Sequence, residues 1–249
     1  MKITILGGTG LVGRRLATRL RDEGHEVVAA ARSTGVDLVS GEGLADALAG
    51  AEVVVDTSNP GYADAAAMER FFAASGAKLG TAARDAGVRH LLALSAVGAA
   101  EIDDGYYRAK QLQEARLRDA GLPFTIVRST PFYEFIYKIV DAGGEGDTVR
   151  LPPVHMQPIG ADDLATALAR ITLGVPANGI VEIAGPDRHF LPDLALTILT
   201  ANEDPRSIAV DPDALYFGAR FDGEPLTGDH PRFAHTSFED WLRAWFAAV

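Results

Sequence analysis

Cysteine is absent from the 249 residues, which excludes disulfides, thiolate nucleophiles, iron–sulfur clusters and cysteine-ligated zinc together. The absence also accords with a reducing compartment. Basic side chains are in short supply: 23 Lys and Arg stand against 34 Asp and Glu, a net charge of -11, so the summed field repels polyanions. Neither nucleic acid nor an anionic membrane is an expected partner. No apolar run approaches the ~18 residues of a membrane span, and the four-residue stretch between Lys2 and Gly7 is too short for the core of a signal peptide. A cytoplasmic protein is expected. The six histidines, His25, His90, His155, His189, His230 and His235, show no short metal-ligand spacing, so no metal site is expected. No Gly-x-Ser-x-Gly elbow occurs either.

What is present is an ordinary globular composition, 47% hydrophobic and 23% charged, long enough for a sizeable core. Short apolar runs at 2–6, 26–31, 53–56, 90–94 and 124–127, with a shorter one near 36–38, alternate with helix-like segments. That rhythm predicts a parallel sheet covered on both faces. Leu11, Val12, Leu16 and Leu20 mark one helix face, residues 63–86 a longer helix. Gly24, Gly87 and Gly121 each stand between a helix and a strand, where a left-handed residue ends a helix. Beyond Arg128 the pattern loosens: 162–172 is helix-like, 179–183 strand-like, and Thr236 with Glu239 forms a capping box before Trp-Leu-Arg-Ala-Trp-Phe. The expected fold class is therefore α/β, a Rossmann-like doubly wound parallel sheet over residues 1–130. Residues 131–249 then form a small C-terminal substrate lobe, integrated with the core, over the carboxyl ends of the strands, where such sheets bind ligands.

Gly7, Gly10 and Gly13 stand in a Gly-x-x-Gly-x-x-Gly turn between the first strand and the first helix. Gly7 permits the turn, Gly10 lets the backbone approach a pyrophosphate, and Gly13 allows helix and strand to pack. The amides of Thr9, Leu11 and Val12 belong to the same helix-opening anion cradle. The second strand ends in Arg32-Ser33. A guanidinium at that point is the natural partner of a 2′-phosphate, and Ser33 adds a hydroxyl. NADP(H) is the preferred cofactor, NAD(H) the alternative, with Asp37 near the adenine.

Tyr106 and Lys110 lie at i, i+4 on the opening turns of a predicted helix and share a face. A phenol is a poor acid–base group at neutral pH, but a neighbouring ammonium favours the phenolate. The same lysine can hold the nicotinamide ribose. Ser95, at the end of the 90–94 strand, has a hydroxyl that can bond a substrate carbonyl, or a backbone group instead. Phe132, Tyr133, Phe135 and Tyr137, with Tyr216 and Phe217 later, are candidates to line a pocket for an apolar or planar small molecule, and equally candidates for the lobe's own core.

The ordered series Gly-Gly-Thr-Gly-Leu-Val-Gly, Arg32, Asp56-Thr57-Ser58-Asn59, Leu-Ser-Ala-Val-Gly-Ala, Tyr-Tyr-Arg-Ala-Lys and Ser129-Thr130-Pro131-Phe132 resembles the short-chain dehydrogenase/reductase superfamily, and within it the atypical NmrA-like branch. The resemblance runs clearly from residue 1 to about 163 and more faintly beyond. It implies that Ser58 and Asn59 touch the middle of the cofactor, that Pro131 and Phe132 touch the nicotinamide, and that Ser95, Tyr106 and Lys110 are the catalytic serine, tyrosine and lysine. Two departures stand out. The usual serine motif has adjacent hydroxyl residues where this chain has Ser95-Ala96, so either position can correspond to the catalytic one. No asparagine occurs between Gly61 and His90, where the standard tetrad has one. The expected function is reduction of a carbonyl or quinone, with Tyr106 as proton donor. A cofactor-sensing regulator is the alternative and a nucleotide-sugar epimerase or dehydratase the third. Superfamily relatives often pair, so a homodimer is compatible.

Overall fold

A computed structural model describes residues 1–61, 64–220 and 226–247. The first half runs β1 (Lys2–Leu6), α1 (Leu11–Asp22), β2 (Glu26–Ala30), α2 (Leu44–Leu48), β3 (Val53–Asp56), α3 (Ala65–Asp85), β4 (His90–Ala96), α4 (Gly105–Asp119) and β5 (Phe124–Ser129). The second half runs α5 (Ile136–Ala142), β6 (Gly144–Glu145), β7 (Thr148–Leu151), β8 (His155–Met156), α6 (Ala161–Leu173), β9 (Gly179–Ala184), β10 (His189–Phe190), α7 (Leu191–Ala201), β11 (Ser207–Val210), β12 (Arg232–Phe233) and α8 (Phe238–Ala247).

Seven strands form one parallel sheet in the order β12-β9-β5-β4-β3-β1-β2. The strand order reverses at β1, between β2 on one side and β3 on the other. A crevice therefore opens beyond the carboxyl ends of β1 and β3. Ile3, Ile5, Val53 and Val55 bury one face of the sheet under α1 and α6, while Leu6, Val54, Leu91 and Ile126 bury the other under α3 and α4. On α1, Val12, Leu16 and Leu20 are buried as their spacing predicts, while Leu11 turns towards the crevice. Gly24, Gly87 and Gly121 all adopt positive φ, so the three expected helix stops are present. The sheet does not end at residue 130. Strands β9 and β12 return to it after the lobe has begun, because the run from Gly179 pairs with β5.

The lobe is built on α5, α7, α8 and two small sheets, β11-β7-β6 and β10-β8. Its core joins Ile136, Ile139, Val149, Leu194, Ile198 and Phe238 to Tyr107 of α4. Three local expectations are corrected. No strand forms at 36–38: a single 3-10 turn at Arg32–Thr34 is followed by Gly35 at φ 83°, and Asp37 Oδ1 accepts from the amides of Val39 and Ser40. The expected capping box is absent: the cap lies one residue later, at Ser237, whose Oγ accepts from the Asp240 amide and donates to Asp240 Oδ2, while the amide of Thr236 donates to Asp163. The long helix begins at Ala65, where Asp64 accepts from the Ala67 amide; residue 63 lies outside the described residues.

His90 opens β4 almost fully buried, its Nε2 paired with Thr125 Oγ1 at 2.9 Å. Burial pulls its pKa down to about 4. The unfolded chain therefore binds this proton first, and the stability His90 confers is complete above pH ~6.5 and lost as pH falls through about 4, up to about 3 kcal/mol. Thermal melts of His90→Gln between pH 7 and 4 should show a flatter acid loss than the parent. Parallel curves would remove His90 from acid unfolding.

Candidate functional site

A groove of about 950 Å³ runs across the carboxyl ends of the strands, walled by the glycine turn, the end of β2, the loop after β3, the ends of β4 and β5, α4 and the lobe. Gly7 holds φ 71°, and a Cβ there would stand 2.9 Å from the Ser58 backbone; a Cβ on Gly13 would collide with the Gly7 carbonyl. The turn is thus folded onto both neighbours by the want of side chains. The N-terminus of α1 at Gly10 has no side-chain cap, so its leading amides and dipole face the groove. Thr9 Oγ1 lies 3.4 Å from Ser33 Oγ across the mouth. Arg32 and Asp37 line the same end, and the neighbouring guanidinium, after the two amides, helps hold the Asp37 carboxyl below its ordinary range.

Deeper in, Thr57, Ser58 and Asn59 follow β3, and Ser129 ends β5, with Thr130, Pro131 and Phe132 after it. Thr130 Oγ1 is buried in this wall without a hydrogen-bond partner among the described residues. An extended groove, an uncapped helix end, a glycine cradle and an orphaned hydroxyl fit a dinucleotide. Every residue expected to touch that cofactor lines the groove, Gly7, Thr9, Gly10, Leu11, Val12, Gly13, Arg32, Ser33, Asp37, Ser58, Asn59, Lys110, Pro131 and Phe132 alike.

Tyr106 and Lys110 come together as their spacing predicts. Asp104 accepts from the Gly105 amide to open α4, the half-buried Tyr106 follows in its first turn, and Lys110 Nζ lies 5.6 Å from the Tyr106 ring centroid. Lys110 is 2% exposed. Its ammonium donates to the Leu94 carbonyl at 2.9 Å and to Gln113 Oε1 at 2.8 Å, and sits 4.8 Å from the Phe72 ring centroid. Burial pulls its pKa down to about 8, against the opposing pull of Asp56 and Glu114.

Ser95 differs from expectation. Strand β4 runs two residues further than its apolar stretch suggests, with Ser95 and Ala96 registered against Arg128 and Ser129. Alternation then sends the two side chains to opposite faces. Ser95 Oγ donates to Glu114 Oε1 at 2.7 Å, and Ala96 packs towards the lobe. A serine has one O–H to give, so the Ser95 hydroxyl, held this way, has no proton left for a substrate carbonyl. Glu114 itself receives both arms of Arg128 at 2.9 Å, and these donors hold its carboxyl below the ordinary range despite burial.

The aromatic set divides. Phe132, Phe135, Tyr216 and Phe217 line the groove, with Phe135 and Phe217 at 5.4 Å between centroids. Tyr133 does not: it is 1% exposed, its hydroxyl donates to the Thr236 carbonyl, and its ring packs on Phe238 and Trp241. Its placement in the substrate pocket is corrected to the lobe core, because the turn at Tyr133–Phe135 directs it inward. Tyr137 points outward to Asp204. Sequence reasoning missed Lys138, Glu134 and Trp245 of the groove wall and Gln113 beneath Lys110. Only the i, i+3 step from Lys110 to Gln113 left a local signal.

No helix among the described residues is long and apolar enough to cross a membrane, and no group of metal-ligating side chains gathers among them. A model of the NAD(P)H-binding family matches residues 7–172. A (4-alkanoyl-5-oxo-2,5-dihydrofuran-3-yl)methyl phosphate reductase of Streptomyces griseus is 37% identical over 145 residues, 52% of this chain and 48% of that protein. The chain thus matches about half the length of this curated relative. MoeE5 in complex with UDP-glucose and NAD has a TM-score of 0.76 at 19% identity, over 100% of this chain and 99% of that one. A dTDP-4-dehydrorhamnose reductase of Bacillus anthracis in complex with NADP gives 0.74 at 13%, over 99% of each. A short-chain dehydrogenase/reductase superfamily protein of Agrobacterium tumefaciens with bound NAD gives 0.72 at 16%, over 100% and 97%. At such identities these structures share the fold.

Proposed function

This chain belongs to the NAD(P)H-binding family, and from that premise we propose that it is an NADP(H)-dependent reductase of a small molecule bearing a carbonyl or quinone. The observation that carries the proposal is the phenol of Tyr106 beside the Lys110 ammonium, 5.6 Å from ring centroid to Nζ, in the groove that holds the glycine turn. When bound, the dinucleotide supplies a hydride to the acceptor carbon. Tyr106 gives the proton that the acceptor oxygen takes up, so hydride and proton together add two electrons and two protons. Lys110 favours the phenolate left behind and has a third N–H to offer a ribose hydroxyl. Phe132, Phe135 and Phe217 exclude water from the acceptor.

Preference for the phosphorylated cofactor rests on Arg32, exposed at the adenosine end of the groove and free of any carboxylate bond among the described residues. Arg32→Ala should weaken NADPH by about 1.5–3 kcal/mol, a ten- to hundredfold rise in Kd, and leave NADH nearly unchanged. Equal losses in titrations of both would refute the assignment.

The curated relative is named for a phosphate-bearing lactone, and in this chain Lys138 lines the groove with its ammonium over Phe135 at 5.3 Å. Phosphate-bearing keto-lactones therefore join quinones, aldehydes and polycyclic ketones as acceptors to be tested by NADPH oxidation. Turnover with one class establishes the reductase. Tight NADPH binding with no turnover on any of them favours the cofactor sensor instead, a reading to which the occupied hydroxyl of Ser95 lends weight.

A further inference from the structure

We propose that Gln113 is a positioning residue for Lys110, bridging its ammonium to the Asp56 carboxylate and supplying a fixed acceptor that holds the cation beside Tyr106. This rests on the reading of Tyr106 and Lys110 as the proton-donating pair. Gln113 is 4% exposed, one turn beyond Lys110 on α4. Its Oε1 accepts from Lys110 Nζ at 2.8 Å, and its Nε2 donates to Asp56 Oδ2 at 2.8 Å. The other Asp56 oxygen accepts from the amide and the hydroxyl of Ser58, at 2.9 and 2.5 Å. One unbroken buried chain thus joins the ammonium to the Thr57-Ser58-Asn59 segment of the groove wall.

The chemistry selects an amide. An ammonium only donates and a carboxylate only accepts, so a side chain facing both must present an oxygen to one and an N–H to the other. With Gln113 interposed, the cation takes two fixed acceptors, the Gln113 amide and the Leu94 carbonyl, and keeps one donor. The groups facing it are Asp56 from β3, Glu114 from α4 itself, the Tyr106 phenol, the Leu94 carbonyl from β4 and the apolar ring of Phe72 from α3. Burial disfavours the charged form here, and the Gln113 oxygen is the neutral acceptor that supports it.

The chain has four lysines, Lys2, Lys78, Lys110 and Lys138, few enough to follow by ¹³Cε NMR of the labelled protein. The Lys110 resonance should titrate near pH 8, well below the ~10.4 of a lysine in a model peptide. In Gln113→Leu its midpoint should fall by about one pH unit, since the charged form loses an acceptor, about a tenfold change in proton affinity. The alkaline limb of the turnover profile should move with it. Gln113→Asn, one methylene too short to span both partners, should act in the same direction and serves if the leucine variant does not fold. A midpoint that stays in place or rises, even with slower turnover, would overturn the proposal and leave Gln113 a packing residue. Absence of wild-type turnover on every acceptor counts instead against the reductase reading, and the resonance tells the two failures apart.

Discussion

Tyr106→Phe should retain NADPH affinity while turnover falls by about 10²–10⁴-fold, the usual contribution of a positioned proton donor. The substitution removes one oxygen and keeps the ring that packs at 5.5 Å against Tyr107, so the fold and the groove wall survive. The adjacent tyrosine supplies the control. Tyr107 is 2% exposed and belongs to the lobe core, whereas Tyr106 is half-buried on the helix face that carries Lys110. Tyr107→Phe should leave turnover within a few-fold of the parent. If the two variants lose turnover equally, or Tyr106→Phe loses none, the phenol is not the donor. The alkaline limb has a definite sign: Lys110 loses its charge above about pH 8, and with it the field that favours the phenolate, so parent turnover should decline above that pH.

The second large effect is on stability. Arg128→Met should lower stability by about 3–5 kcal/mol, because it leaves the Glu114 carboxylate buried without its bidentate partner. For a chain of this length that is roughly 10 °C in melting temperature. Glu114 is 2% exposed, and both its oxygens lie 2.9 Å from the guanidinium. Arg118 also reaches it at 3.2 Å but stands half-exposed, so Arg118→Ala should cost under about 1 kcal/mol. A double variant, Arg128→Met with Glu114→Leu, should recover most of the loss, since an apolar pair of similar volume carries no uncompensated charge. Melting curves of the four proteins decide the matter. A loss that persists undiminished in the double variant would mean that packing, and not the stranded charge, is responsible.

Residue types and spacing by themselves determined the parallel sheet, the glycine cradle, the Arg32 end of the groove and the Tyr106–Lys110 pair. Each is a local pattern: an apolar run bounded by a glycine stop, a loop whose missing side chains permit one turn, two residues one helical turn apart. Period and steric allowance act over a few residues, and so they are written in order along the chain. Only the tertiary structure decided that Ser95 turns to Glu114 while Ala96 faces the lobe, because the pairing of β4 with β5 beyond the apolar run sets the alternation. It also decided that Tyr133 belongs to the core and Phe135, two residues on, to the groove. Gln113 gained its place from the approach of Asp56, 57 residues earlier, and β9 and β12 joined a sheet whose first strands lie far away in sequence. Such contacts depend on which surfaces meet when elements pack, and no short-range pattern encodes them, since the partners of a buried polar atom are chosen by burial itself.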